Sequence, residues 1–451
     1  MRPQPTPTTP YSNVFFSVLI VCENASAEYG GEAILPLHYF RLLRNRGVKV
    51  WLVAHARTRA ELSVLFPGEQ RIRYIEDSAL HKLMWRLGQW LPTQLAYMTV
   101  GFVSRLTVQI SQRRLVRGLI ASEGIDIVHQ PTPVSPREPS LICDVGAPVV
   151  IGPMNGGMEY PPAFRPRQGW LEKAMFRLGR SQATLLNRLL PGKRRAALLL
   201  VANERTRAAL PEGVCDQIEL MGENAVELDL WASNPHGLDQ HLRAVSQPAT
   251  TTFAFVGRLV ALKSVDLLLE AFAIASASAP MRLVVIGEGE ELERLQAQSA
   301  ALFPLASGDR AHGPVRFTGW LTQTTCAREL AEAQCLVMPS IRDCGGAVIL
   351  EAMSMAKPVI ATAWGGALDY LDSSCGILVE PCDRPTLICG LALAMVRLAT
   401  SPSERAAMGA AALHKIERYY NWEAKAEHIL AVYRQTLQAS LRVQQPVMRA
   451  A

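Results

Sequence analysis

Short apolar runs alternate with longer amphipathic segments along most of this chain. A first series of runs covers residues 14–21, 48–53, 125–129, 149–152 and 198–202. A second series starts at residue 253 and continues through residues 283–286, 315–318, 335–338 and 359–361. Such alternation is typical of parallel strands joined by crossover helices. Two series predict an α/β chain of two facing, doubly wound domains with a cleft between them, and ligands at the carboxyl ends of the strands.

The run 335–338 leads into a glycine turn and a helical pattern that carries two carboxylates, Asp343 and Glu351. The turn and the expected first turn of the helix hold Gly345, Gly346, Ala347 and Val348. Unpaired N–H groups and the helix dipole favour a phosphate there, and glycine lets it approach the backbone. Glu351 could accept hydrogen bonds from a diol such as a ribose. The alternative is a plain connection with a solvated Glu351.

The run from residue 253 also ends in a glycine, Gly257, followed by Arg258 and Lys263 ahead of an amphipathic helix. Arginine offers a planar fork and lysine a compact charge, so two cations near one helix start suit a diphosphate better than a single carboxylate. In isolation the same two residues would usually be a solvated loop.

Together these segments resemble the retaining, nucleotide-sugar-dependent glycosyltransferases of family 4 (glycosyltransferase group 1), which have the GT-B fold of two Rossmann-like domains. Other segments are similar to elements of this family in the same order along the chain. They are the glycine loop 28–32 with Gly30 and Gly31, and segments 125–129, 221–227, 282–290 with Gly287, 315–320 with Trp320, 358–366, 376–383 and 421–423.

The resemblance implies a retaining hexosyltransferase that uses a UDP or GDP sugar as co-substrate and needs no other cofactor. The acceptor would be a glycan or a lipid-linked glycan in polysaccharide or lipopolysaccharide biosynthesis. Arg258 and Lys263 would neutralise the diphosphate, Asp343 would address the donor sugar, and Glu351 the ribose. Donor contacts would come from Gly30, Gly31, Gly257, Gly287, Trp320, Gly345, Gly346, Ala347 and Val348. The sequence has no Asp-x-Asp pair for a divalent ion, so no metal site is expected.

Three positions depart from the family pattern. Asp343 stands where glutamate is usual, which shortens the reach toward the sugar by roughly 1.5 Å. Asn155 stands where a histidine commonly approaches the donor, and an amide cannot transfer a proton. Ala356 replaces a glycine at a helix end, which would strain the turn. His129, at the end of a buried strand, is expected to be structural.

These departures leave two alternatives open. One is a catalytically degenerate, transferase-like binding protein. The other is a nicotinamide-dependent oxidoreductase, although the segment from Gly287 to Gly289 lacks the third glycine of the dinucleotide fingerprint.

A chain of 451 residues with 49% apolar content can bury two cores. The predicted plan is a flexible tail 1–12, an acceptor-side domain 13–230, a linker 231–252, a donor domain 253–415, and a helix 416–440 that the resemblance implies crosses back.

The net charge of +6 is modest, but basic segments with tryptophan occur at residues 82–91 and 170–195. Such helices can lie on an anionic membrane, or they can be ordinary docked helices with solvated basic faces. No run reaches the length that spans a bilayer, and nucleic acid binding is not expected because no stacking module or zinc-finger spacing is present. Nine scattered cysteines predict reduced thiols in the cytoplasm, with the inner face of the cytoplasmic membrane as a second location.

Overall fold

A computed structural model describes residues 16–29, 31–90, 99–165, 184–231, 250–304 and 313–444. The chain forms two compact units. The N-terminal unit comprises Met1–Gly157, Trp170–Glu223 and Ala426–Ala451, and the C-terminal unit comprises Met158–Gly169 and Asn224–Lys425.

The N-terminal unit is built on a seven-stranded parallel sheet of order β3-β2-β1-β4-β5-β6-β7. Its strands are β1 Ser17–Val21, β2 Lys49–His55, β3 Ile72–Ile75, β4 Ile127–Gln130, β5 Val149–Met154, β6 Leu198–Val201 and β7 Ile218–Leu220. Its helices are α1 Ile34–Asn45, α2 Arg59–Leu65, α3 Ala79–Gly88, α4 Val100–Glu123 and α5 Glu204–Ala208, with short 3-10 turns at Gly31–Ala33 and Ala56–Thr58.

The C-terminal unit is built on a six-stranded parallel sheet of order β10-β9-β8-β11-β12-β13. Its strands are β8 Thr251–Val256, β9 Met281–Ile286, β10 Val315–Gly319, β11 Cys335–Met338, β12 Val359–Thr362 and β13 Gly376–Val379. The helices are α6 Leu228–Trp231, α7 Val265–Ser276, α8 Leu292–Leu302, α9 Gln323–Glu332, α10 Ala347–Ser354, α11 Ala367–Tyr370, α12 Arg384–Thr400 and α13 Pro402–Tyr419, with 3-10 turns at Pro162–Phe164 and Ala261–Lys263. The last helix, α14 Trp422–Gln444, passes from this unit into the N-terminal one at Ala426.

The central strands are mostly apolar because helices cover both faces of each sheet, so most of their side chains are buried. Local signals set several helix starts. Thr322 and Asp383 accept hydrogen bonds from the backbone N–H groups of Thr325 and Thr386, which caps α9 and α12. Each sheet has a topological switch point, between β1 and β4 in one unit and between β8 and β11 in the other.

All ten predicted runs are strands, and the prediction of an α/β, doubly wound chain is confirmed. The strands β3 and β7 were not anticipated, and β13 was indicated only by the resemblance of the segment 376–383 to a family element. They lie at sheet edges and are three or four residues long, so they give little periodic signal.

The unit boundary differs from the predicted plan. The C-terminal unit begins at Asn224, ahead of the predicted linker 231–252, and it includes 158–169 from the predicted domain 13–230. The predicted terminal helix 416–440 is two elements, because α13 ends at Tyr419 before α14 begins at Trp422. The tail 1–12, most of the linker and residues 166–183 of the second basic segment lie outside the described residues.

Among the described helices, none taken singly is long and apolar enough to cross a membrane. The bent pair α12 and α13, with an angle of 102° between them, passes that test jointly by length and composition.

Candidate functional site

The predicted donor residues of the C-terminal unit lie on loops at the carboxyl ends of adjacent strands. Arg258 and Lys263 follow β8, and Asp343 to Gly346 follow β11, its neighbour across the switch point. Connections leave in opposite directions at such a point, which opens a crevice where ligands of α/β proteins bind. Residues 80 positions apart in the sequence therefore share one edge of the sheet.

An ion pair joins the two loops. The Nζ atom of Lys263 lies 2.5 Å from Oδ2 of Asp343, and the side chains are 17% and 21% exposed. The other carboxylate oxygen of Asp343 accepts a hydrogen bond of 3.4 Å from the N–H of Gly346. Lys263 is thus held at the glycine turn by a partner that an incoming anion could replace.

Gly346 allows the turn to lead directly into α10. It has φ +59° and ψ 33°, a left-handed conformation that glycine adopts without strain, and it precedes the first helical residue, Ala347. Asn224 holds this turn in place, because its Nδ2 donates to the carbonyl of Gly345 at 3.0 Å and to the hydroxyl of Tyr370 at 3.3 Å. The turn that leads into α10 is therefore held by side-chain hydrogen bonds from Asn224.

Glu351 lies one turn further along α10, on the same face as Ala347. The side chain keeps part of its surface open, but protein atoms surround it closely, and this burial raises its pKa to about 7. Among the described residues, none donates a hydrogen bond or offers a cation to this carboxylate. The charged form of this carboxylate is therefore destabilised by burial, and a bound diol that donates hydrogen bonds to it would stabilise that form.

Three glycines, Gly257, Gly287 and Gly319, lie where the loops after β8, β9 and β10 meet. The N–H of Gly287 donates to the carbonyl of Gly319 at 3.0 Å, and a Cβ atom on Gly287 would lie 2.0 Å from the carbonyl oxygen of Gly257. Gly287 thus lets the loops after β8, β9 and β10 pack closely, and the donor contacts expected of Gly257 and Gly287 stay predictions. Trp320 follows Gly319 and is 68% exposed, and Arg258 is also exposed on its loop.

Sequence reasoning missed a segment that packs on the Asp343 loop. The carbonyl of Glu159 accepts a hydrogen bond of 2.8 Å from Nε1 of Trp364, and Tyr160 lies under the guanidinium of Arg342 at 5.1 Å. Gly365 has no room for a side chain, since a Cβ there would approach the Asp343 carbonyl oxygen to 2.4 Å. The segment 158–165 was assigned to the other domain, and no local pattern marks its docking.

One predicted position of the N-terminal unit, Gly31, lies on the connection between β1 and α1. Gly31 has φ +52° and begins the 3-10 turn that leads into α1. Gly30 lies outside the described residues. Glu32 beside them accepts a hydrogen bond of 3.3 Å from the N–H of Val134 on the loop after β4.

Asn155 is fixed by a buried carboxylate that sequence reasoning did not assign. Its Nδ2 donates to Oε2 of Glu223 at 2.6 Å, and its Oδ1 lies 3.5 Å from the hydroxyl of Thr206. A protonated histidine at this position could form an ion pair with Glu223. Asparagine cannot, because its amide group is neutral and offers Glu223 only a hydrogen bond.

His129 is structural, as expected. It is fully buried, and its two ring nitrogens contact the Gly152 carbonyl at 2.6 Å and the Tyr433 hydroxyl at 2.7 Å. Nε2 therefore carries the proton, and Nδ1 accepts from tyrosine.

One group of metal-type donors occurs among the described residues: His55, Asp77 and His81, whose ligand atoms lie within 4.8 Å of one another. Nδ1 of His55 accepts from the backbone N–H of Arg57 at 3.2 Å, so its proton sits on Nε2, 3.3 Å from Asp77. That nitrogen makes no hydrogen bond within the described residues.

The class of protein follows from the two sheets and this edge. The chain has the GT-B fold, and it is similar to the crystal structure of Anabaena HepE in complex with UDP. The TM-score is 0.62 at 15% identity, and the match covers 93% of this chain and 100% of that one. At this identity the likeness concerns the fold alone, and it confirms the GT-B prediction.

A family model described as Glycosyl transferases group 1 matches residues 250–401 of this chain. The matched residues lie in the C-terminal unit, and over that stretch the match confirms the resemblance drawn from the sequence. A D-inositol 3-phosphate glycosyltransferase of Segniliparus rotundus is 31% identical over 197 residues, which are 42% of this chain and 41% of the relative.

A second relative is a GDP-mannose-dependent monoacylated alpha-(1-6)-phosphatidylinositol monomannoside mannosyltransferase of Corynebacterium glutamicum. It is 30% identical over 188 residues, which are 40% of this chain and 46% of the relative. The chain therefore spans less than half the length of these curated relatives.

Proposed function

We propose that this protein transfers a hexose from a UDP or GDP sugar to a glycan or lipid-linked acceptor, with retention at the anomeric carbon and without a metal or other cofactor. The observation that carries the proposal is the cation–glycine–helix arrangement at the β8/β11 switch point, where Lys263 and the first turn of α10 converge. The names of the group 1 relatives, one of them dependent on GDP-mannose, support the same donor class.

The arrangement suggests how charge is handled during transfer. The bond between the anomeric carbon and the β-phosphate oxygen breaks, and its electron pair stays on the leaving nucleoside diphosphate. The acceptor hydroxyl forms the new bond on the same face, and its proton passes to the leaving phosphate oxygen. Lys263, Arg258 and the N–H groups of Ala347 and Val348 would stabilise the developing negative charge, which is the type of contribution that usually dominates.

Individual roles remain proposals. Asp343 would release Lys263 to the diphosphate and turn to the sugar hydroxyls, and Glu351 would accept from the ribose. Gly345 and Gly346 would give the phosphates access to the backbone, and the exposed ring of Trp320 would contact the base.

Location follows from the proposed donor and from the thiols. All nine cysteines are free. We place the protein in the cytoplasm and on the inner face of its membrane, because a lipid-linked acceptor would be met there.

A nucleotide panel tests the proposal. Either UDP or GDP is expected to raise the melting temperature of the purified protein, and the matching sugar nucleotide is expected to be hydrolysed slowly. Lys263→Ala and Glu351→Ala should lose both effects while remaining folded. Lys415→Ala is a matched control, because Lys415 also pairs with an aspartate, Asp372, at 2.8 Å within the same unit.

The outcomes separate the alternatives. Binding without turnover on any sugar nucleotide and acceptor would favour the degenerate binding protein. A shift with nicotinamide dinucleotides alone would favour the oxidoreductase, which the comparisons do not support. No shift with any nucleotide would contradict the proposal.

A further inference from the structure

Helix α3 exposes a continuous apolar stripe. Leu80, Leu83, Leu87 and Trp90 are 43%, 51%, 47% and 88% exposed. Their spacings of three, four and three residues place them on one helical face, and Trp90 continues the turn after α3 by donating its N–H to the Leu87 carbonyl at 3.3 Å. Scattered exposed leucines are ordinary, whereas an aligned row that ends in tryptophan marks an interaction surface.

The neighbouring helix extends this surface. Helix α4 packs against α3 and exposes Val103 and Ile110, which are two turns apart on one face. We call α3, Trp90 and α4 together the α3–α4 surface.

The charge on this part of the chain has one sign. From Ser78 to Ser122 the sequence contains no aspartate or glutamate, and its cations are Lys82, Arg86, Arg105, Arg113, Arg114 and Arg117. Other elements neutralise two of these: Glu138 lies 2.6 Å from Arg105, and Asp144 lies 3.9 Å from Arg113. Arg86, Arg114 and Arg117 are exposed, and no carboxylate of the described residues pairs with them.

The combination of exposed apolar side chains and unpaired cations on the α3–α4 surface indicates what kind of partner would bind there. A second copy of this surface would bring like charges together, which disfavours self-association. An anionic lipid bilayer accepts both groups, because leucine and tryptophan enter the boundary of the acyl chains while arginines meet the head groups.

We propose that the α3–α4 surface docks this protein on an anionic lipid bilayer. The docking is independent of sugar transfer, since none of its residues belongs to the donor site. It gives the N-terminal unit a defined face toward the membrane from which a lipid-linked acceptor would come.

Vesicle co-sedimentation tests the proposal on the full chain. Binding is expected to vesicles of phosphatidylglycerol mixed with phosphatidylcholine, to be absent with phosphatidylcholine alone, and to weaken as salt is raised. Leu83→Glu and the double change Leu83→Glu, Leu87→Glu should each weaken binding by about tenfold or more. Leu393→Glu is the matched control, since Leu393 is 70% exposed on α12, and it should bind as the unchanged protein does.

Several results would overturn the docking proposal. They are equal binding by all variants, equal binding to neutral and anionic vesicles, and a dimer in size-exclusion chromatography that Leu83→Glu dissolves. The nucleotide-induced rise in melting temperature is measured on each variant. It is expected to persist in Leu83→Glu, so loss of membrane binding is distinguishable from failure of the proposed sugar-transfer function.

Discussion

Two non-glycine residues near the predicted donor loops have a left-handed backbone conformation. Ala356 has φ +54° at the end of α10, which bears out the strain expected from an alanine in place of glycine. Ser264 has φ +53° directly after Lys263 and before α7. Side chains in this left-handed region cost on the order of 1 kcal/mol. The chain accepts that cost beside the donor loop and at the end of the helix that carries Glu351.

Because the pKa of Glu351 is raised, we expect both the stability of the protein and its affinity for nucleotide to depend on pH. Its folded-state pKa of about 7 exceeds its ordinary value of 4.5, so the folded protein holds the proton more tightly. The contribution of Glu351 to ligand-free stability is therefore largest below that ordinary value, and it is lost as the pH rises through about 7. Nucleotide affinity should change in the opposite direction, because the ribose needs the ionised carboxylate.

Glu351→Gln should remove both trends. Thermal melting and nucleotide titration across this pH range measure them, and Glu293→Gln on the exposed face of α8 is the control. An affinity for nucleotide that stays constant with pH in the unchanged protein would contradict the role given to Glu351.

At the scale of elements, the hydrogen bond between Tyr433 and His129 ties α14 to the centre of the N-terminal sheet. Tyr433→Phe removes a buried donor and should lower the free energy of unfolding by about 1 to 3 kcal/mol. Denaturant titration measures this change. Tyr419→Phe, which alters a tyrosine that is 58% exposed, should leave stability unchanged. Equal stabilities would mean that water or another group replaces the bond.

For the whole molecule, the N-terminal unit depends on the last residues of the chain. Ile429, Leu430, Val432 and Tyr433 of α14 are at most 1% exposed. Burying each such side chain contributes about 1.5 to 3 kcal/mol, and the sum is comparable to the entire stability of a domain. A chain that ends at Lys425 should therefore lose the cooperative unfolding of the N-terminal unit.

Calorimetry of that truncated chain measures the loss. A chain that ends at Gln444 is the control and should unfold as the full chain does. An N-terminal unit that unfolds cooperatively without residues 426–451 would contradict the dependence.

The sequence determined the strands and the donor loops of this protein. All ten apolar runs became strands because buried parallel strands must be apolar on both faces. The pairing of glycine turns with helix starts also follows from local chemistry, as at Gly346. Short edge strands such as β7 escaped because three residues carry too little pattern.

Only the tertiary structure decided which distant groups meet. The Lys263–Asp343 pair, the Asn155–Glu223 pair and the docking of Glu159 on Trp364 each join residues at least 68 positions apart. Nothing local in the sequence encodes them, because they depend on strand order and loop direction. Hydrophobic period and turn chemistry act over a few residues, whereas charge pairing and the exposure of a helix face depend on what the rest of the chain leaves uncovered.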